Sequence, residues 1–272
     1  MNHLTIVSVS WLLLCSLAHA ADGSSSRKFS PQTDLLSLHY DHAPDKDDGH
    51  SAAADLTILR SLYGTNWIPL HVVAVSGAYG KNADRFDPDS DRVMDVTWND
   101  CGGWLDGHNH HDQTVTELVS RWRKTLEAGG DVWVKEGGQS DITAKVVQAL
   151  QQDLPNLVTT QRVHVVQHSD WNENHTGKDA LAYVKEHTDY IRIRDANAYL
   201  NIEGGDEAFV MAATNHPAFG ASWTAAFEYY DPKKRLDFSD TGELMFILGL
   251  GELDCKQFRE RFLSSSPAHT SE

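Results

Sequence analysis

Four carboxylates, Asp41, Asp45, Asp47 and Asp48, crowd the stretch that follows the apolar run Leu35-Leu36-Ser37-Leu38-His39-Tyr40. Like charges this close raise one another's pKa unless a cation or hydrogen-bond donors sit among them, so the stretch is either a solvated acidic loop or a site for a hard cation. Asp41 at the loop's start and Asp47-Asp48 at its end could offer oxygens to one Ca2+, the two adjacent carboxylates facing different ways. The spacing is not that of an EF-hand. Counted from Asp45, the turn-glycine and closing-glutamate positions hold His50 and Leu56. Counted from Asp87, they hold Arg92 and Trp98, so Asp87-Pro88-Asp89-Ser90-Asp91 suits a turn stabilised by Asp and Pro.

Other segments carry chemistry-bearing side chains. His108-Asn109-His110-His111-Asp112 can be a transition-metal site, a rim that donates protons or binds hydroxyls, or a solvated loop. His168-Ser169-Asp170-Trp171-Asn172-Glu173-Asn174-His175 combines an aromatic plane with amide and carboxylate groups, a mixture that suits a sugar ring as well as a plain surface loop. Gly137-Gly138-Gln139-Ser140-Asp141 turns from an apolar run into a helical pattern, but it lacks the lysine of a P-loop and the spacing of a dinucleotide fingerprint. No Gly-x-Ser-x-Gly elbow follows any apolar run, which removes the usual serine-hydrolase arrangement.

The elements that must position these residues alternate. Strand-length apolar runs at Leu35–Tyr40, Leu70–Val75, Asp131–Lys135, Val163–Gln167 and Tyr190–Arg194 are separated by loops and helical patterns. Leu118, Val119, Trp122 and Leu126 form one helical stripe closed by Gly129-Gly130, and Ser140 or Asp141 caps a second helix through Leu150. Ala52 to Leu59 reads as a helix behind the acidic loop. This alternation predicts an α/β fold, an open and mostly parallel sheet with helices on both faces. Such folds place ligands in the strand-to-helix loops. The interval Lys81–Gln113 is long for a connector and is expected to form a lid or binding rim.

Residues 1–20 carry no charged side chain and end in Ala18-His19-Ala20 behind an apolar core, the pattern of a cleaved secretory signal. The predicted organisation is a signal peptide over 1–20, a polar leader over 21–34, one α/β domain over 35–263 and a flexible tail over 264–272. The expected address is secreted or periplasmic, with no membrane association after cleavage. A net charge of −16 opposes binding to nucleic acid or anionic lipid and is compatible with neutral sugars and divalent cations. Cys101 and Cys255 could pair in an oxidising compartment.

The order of elements resembles the nucleoside hydrolases, and more closely the secreted nucleoside-hydrolase-like domain of some carbohydrate-associated bacterial proteins, over Leu35 to Leu253. The early loop ending in Asp47-Asp48, the strand and turn Val132–Ile142, the segment Ala198-Tyr199-Leu200-Asn201 with Glu207-Ala208, and Phe238-Ser239-Asp240-Thr241-Gly242 carry the resemblance. It implies a Ca2+ held by Asp41, Asp48, Asp240 and a backbone carbonyl near Ser140. It also implies sugar hydroxyls on Asp47 and Asn201, and the sugar-suited mixture after His168 adds Trp171 and Asn172 as expected substrate contacts. Asp41 would take a proton from the attacking water, and His110 or His168 would protonate the leaving group. The expected partner is a glycan or a sugar-containing small molecule, its N- or O-glycosyl bond hydrolysed. Ala43 and Tyr199 stand where the family carries a catalytic Asp and a sugar-binding Glu, which equally suits a noncatalytic carbohydrate-binding protein with a structural cation.

Overall fold

The computed structural model describes residues 27–138 and 140–264, so the predicted signal peptide, the first residues of the leader and the tail past Ser264 lie outside the described residues. Six parallel strands form the main sheet: β1 Leu35–Tyr40, β2 Val72–Ser76, β3 Trp104–Asp106, β4 Val132–Gly137, β5 Val163–Gln167 and β6 Asp189–Arg192. Their order is β3-β2-β1-β4-β5-β6. The chain therefore builds outward from β1 to one edge, returns to β4 on β1's other flank, and builds to the opposite edge. The direction in which strands are added reverses between β1 and β4, the switch point at which open α/β sheets leave a crevice.

Period-two alternation splits β1 between two cores. Leu36, Leu38 and Tyr40 pack with the helices Asp48–Tyr63, Ser90–Trp98, Gly220–Tyr229 and Thr241–Ile247, while Leu35 joins Val73 and Val75 against His111–Glu127, Asp141–Asp153 and Lys178–His187. Both faces of the central strands are thus covered, which is why they read as continuous apolar runs in the sequence. The first core holds an aromatic group in which Phe209, Phe238 and Phe258 surround the fully buried Trp223. Trp223→Ala is expected to cost about 3–5 kcal/mol through the cavity it leaves. A urea midpoint within error of the parent's would contradict that packing account.

Three local expectations differ from the structure. Leu70 and His71 belong to the short helix Ile68–His71, begun by Pro69 near its N-terminus, and β2 starts at Val72. The interval Lys81–Gln113, expected as a lid or rim, contains the helix Ser90–Trp98 and the edge strand β3, so it is part of the scaffold. Cys101 and Cys255 are both buried free thiols rather than a disulfide. A small antiparallel hairpin, β7 Asn201–Glu203 with β8 Arg235–Asp237, completes the architecture. Among the described residues no helix is long and apolar enough to cross a membrane.

Candidate functional site

The loops at the C-terminal ends of β1, β4 and β5, with the segment after β8, enclose a polar cavity of about 360 Å³ at the switch point. Asp41, Asp45, Asp47, Gly138, His168, Trp171, Asn172, Asp195, Asn197, Arg235, Asp237 and Asp240 line it. Asp41 follows β1 directly, His168 follows β5, and Asp240 begins the helix Thr241–Ile247. Carboxylates from opposite ends of the polypeptide therefore share one chamber.

The acidic loop holds its own carboxylates through backbone donors. Ala43 N–H donates to Asp41 Oδ1 at 3.0 Å and His42 N–H to Asp48 Oδ2 at 2.6 Å, made possible by a left-handed His42 (φ 47°) that folds the chain back. Asp48 opens the helix Asp48–Tyr63, where the helix dipole favours negative charge. Gly138, at φ 110°, lies so close to the Asp41 carboxylate that any side chain there would displace it. Gln167 fixes that turn by donating from Nε2 to the Gly138 carbonyl at 2.6 Å.

Burial dominates the electrostatics. It pushes Asp41 up to about 7, opposed by the Ala43 N–H and by Asp48, with Asp240 and Asp45 adding repulsion. Burial also raises Asp47 and Asp48 well above the carboxylate range, and the neighbouring aspartates raise them further. Asp240 behaves oppositely. Burial would raise it, but hydrogen bonding from His168 and the charges of Lys135 and His168 outweigh that and hold it at about 2. His168 spans two carboxylates, with Nε2 2.8 Å from Asp240 Oδ1 and Nδ1 3.3 Å from Asp195 Oδ1. Burial opposes its protonation, yet these partners lift it to about 10, so the ring is an imidazolium that donates both ways.

These shifts give a stability prediction for the cation-free protein. Asp41 and Glu243, the latter pushed up to about 8 by burial, bind protons in the folded state that the unfolded chain has already released. His168, raised from 6.5 to about 10, stabilises fully below the former value and loses that contribution as pH climbs through the latter. Asp41 therefore weakens the fold as pH rises to about 7, Glu243 as it rises to about 8, and His168 from about 6.5 to about 10, so stability falls from about 6.5 to about 8.5. His42 and His50, lowered by burial to about 3 and about 4, oppose this trend only below 6.5. The melting temperature in chelator is expected to fall across that window; a rise would contradict the assigned shifts.

Most predicted site residues meet here, and three do not. Asp41, Asp47, His168, Trp171, Asn172 and Asp240 line the cavity, with Asp48 buried beside Asp41 and Asp240. His110 is exposed at the start of the helix His111–Glu127 and contributes nothing to the lining. Asn201 also stands outside; its amide donates to Asn197 Oδ1 at 2.8 Å, and Asn197 is the residue that faces the cavity. Ser140 is buried with its carbonyl accepting from Ala144 N–H at 3.0 Å, inside the first turn of its helix. In the other predicted His segment, His108 shares a hydrogen bond with the Tyr79 hydroxyl at 2.6 Å and stacks on Phe86, which makes it a packing residue outside the cavity lining.

Asp195, Asn197, Arg235 and Asp237 were not anticipated. Asp237 carries a sequence signal, since it stands three residues before Asp240 on the same approach; Asp195 and Arg235 carry none. Elsewhere, Ser37 Oγ lies 2.9 Å from His39 Nε2 and His39 Nδ1 3.3 Å from Glu136 Oε1, the spacing of a hydrolytic triad. All three are fully buried and line no cavity among those described, so this network ties β1 to β4 and has no substrate access. Among the described residues, no three His, Cys, Asp or Glu side chains are already gathered tightly enough to hold a metal ion. No protein-family model, curated protein or solved structure matches the chain.

Proposed function

We propose that the protein is a calcium-dependent hydrolase of a glycosidic bond, N- or O-glycosyl, with a nucleoside-hydrolase-like arrangement of its α/β fold. The observation that carries this reading is the meeting of Asp41 and Asp240 at the switch-point cavity with Asp48 buried beside them, Asp48 interacting with both. The donor set is all oxygen, which suits a hard cation. Asp48 Oδ1 is buried without a hydrogen-bond partner, the kind of orphaned acceptor that a cation satisfies. Asp41, Asp48 and Asp240 are the residues that would hold it. A bound Ca2+ would neutralise the cluster and acidify a water beside it.

The chain's own groups then divide the work. Asp41, near 7 while cation-free, is poised to take a proton from water at neutral pH. Asp47 and Asn197 offer acceptors and donors to sugar hydroxyls, and the half-exposed Trp171 ring, stacked on His175 with centroids 3.7 Å apart, offers a flat apolar face to a sugar ring. The concentrated negative charge favours positive charge developing at an anomeric carbon. His168 would supply the leaving group's proton from its Asp195 side, the more open of its two contacts.

A second reading, a noncatalytic sugar-binding protein that keeps the cation for structure, is favoured by one observation. Both ring nitrogens of His168 are already engaged by carboxylates. Assay of p-nitrophenyl ribosides and a glycan panel, with and without chelator, separates the two. Turnover that disappears in chelator is the expected result; glycan binding without turnover selects the second reading, and neither binding nor turnover rejects both.

A further inference from the structure

Beneath the acidic cavity lies a charge that neither catalysis nor substrate contact uses. Lys135 sits in β4, next to Leu38 of β1 and Val166 of β5, in a strand otherwise chosen for burial. Its side chain is fully buried. Nζ lies 3.3 Å from Asp55 Oδ2, and it stands 4.1 Å from the centre of the Tyr40 ring, whose hydroxyl donates to the same Asp55 oxygen at 2.7 Å. It makes no hydrogen bond of good geometry. The ammonium is also directly below the cluster, because a Cβ on Gly137 would stand 2.9 Å from Nζ and 3.3 Å from Asp240 Cβ. Burial opposes protonation of Lys135, yet Asp55, Asp240, Asp48 and Glu243 together outweigh it and keep the amine charged.

We infer that Lys135 is a built-in counter-ion that holds the carboxylate cluster together while the cation site is empty, and that it sets the cation affinity by opposing the incoming ion. This rests on the calcium reading given above. A buried ammonium needs compensation by more than one carboxylate here, since Asp55 is shared with Tyr40, and the further negative charge is that of the ionised Asp240, to which Asp48 and Glu243 add as they ionise. The same Coulomb interaction that steadies those carboxylates must repel a divalent ion placed among them. Asp55 moderates that repulsion from behind.

The two members of the pair therefore have opposite effects, a signature that general damage to the fold does not produce. Lys135→Met should melt at a lower temperature than the parent in chelator, recover in Ca2+, and bind Ca2+ about tenfold more tightly by calorimetry. Asp55→Asn, which leaves the ammonium unmoderated, should bind Ca2+ more weakly than the parent. Lys135→Met that binds Ca2+ no more tightly than the parent overturns the inference. Should Lys135→Met fail to fold even in Ca2+, Asp55→Asn decides: unchanged or tighter binding overturns it. A parent protein that gives no heat with Ca2+ removes the cation reading and this inference together, whereas a parent that binds with either variant out of order removes this inference alone.

Discussion

Asp48→Asn is expected to bind Ca2+ at least about a hundredfold more weakly than the parent, since hard-cation affinity follows the charge and number of oxygen ligands. The same variant should melt higher than the parent in chelator. Asp48 is buried, its charge is raised in energy first by desolvation and then by Asp41 and Asp240, and removing it relieves a cluster that Lys135, His168 and Arg235 balance in part. The asparagine keeps an oxygen for the His42 N–H, so the loop is not broken. A gain of about 2–4 °C corresponds to about 1 kcal/mol in a chain of this size. Paired calorimetry and thermal melts check both halves. Undiminished Ca2+ binding contradicts the ligand assignment, and a lower melting temperature in chelator contradicts the electrostatic account of the cavity.

His168→Gln should lower turnover by about 10²–10⁴-fold on substrates whose leaving group needs a proton. On p-nitrophenyl glycosides, whose leaving group departs without help, the loss should be much smaller. His168 is placed for this by three fixed contacts: its N–H donates to Glu243 Oε1 at 2.8 Å, and its ring lies between Asp240 and Asp195. Glutamine can retain one of the ring contacts but cannot carry the proton. Equal losses on both substrate types would show that the ring only positions Asp240. That result would assign the proton to another group in the cavity.

The sheet was largely legible because its central strands obey one rule. β1 and β5 are buried on both faces and occupy the segments that the apolar runs mark, Leu35–Tyr40 and Val163–Gln167. β3 escaped notice because it is a three-residue edge strand, half-exposed throughout, and β7 and β8 are as short. Pro69 explains the late start of β2, since it begins a helical turn where the hydrophobic pattern alone suggests a strand. Among site residues, the early aspartates announce themselves by crowding. Asp240 was visible only through a family resemblance, and Asp195 and Arg235 not at all, since each enters the cavity from a separate loop whose approach is decided by tertiary packing. His110 misled for the complementary reason: a cluster of histidines is conspicuous in sequence whether or not the fold turns it toward a cavity. Lys135 could have been caught. A lone lysine between Val134 and Glu136 in a run that must be buried on both faces requires a partner, and Asp55 is that partner.

Titration of Ca2+ into chelator-stripped protein by calorimetry near pH 7.5, in two buffers of different ionisation enthalpy, tests the central claim most directly. The cluster holds protons while cation-free, so the predicted result is one equivalent of Ca2+ bound with protons released to the buffer. Absence of saturable binding, or binding of several weak equivalents without proton release, would contradict it.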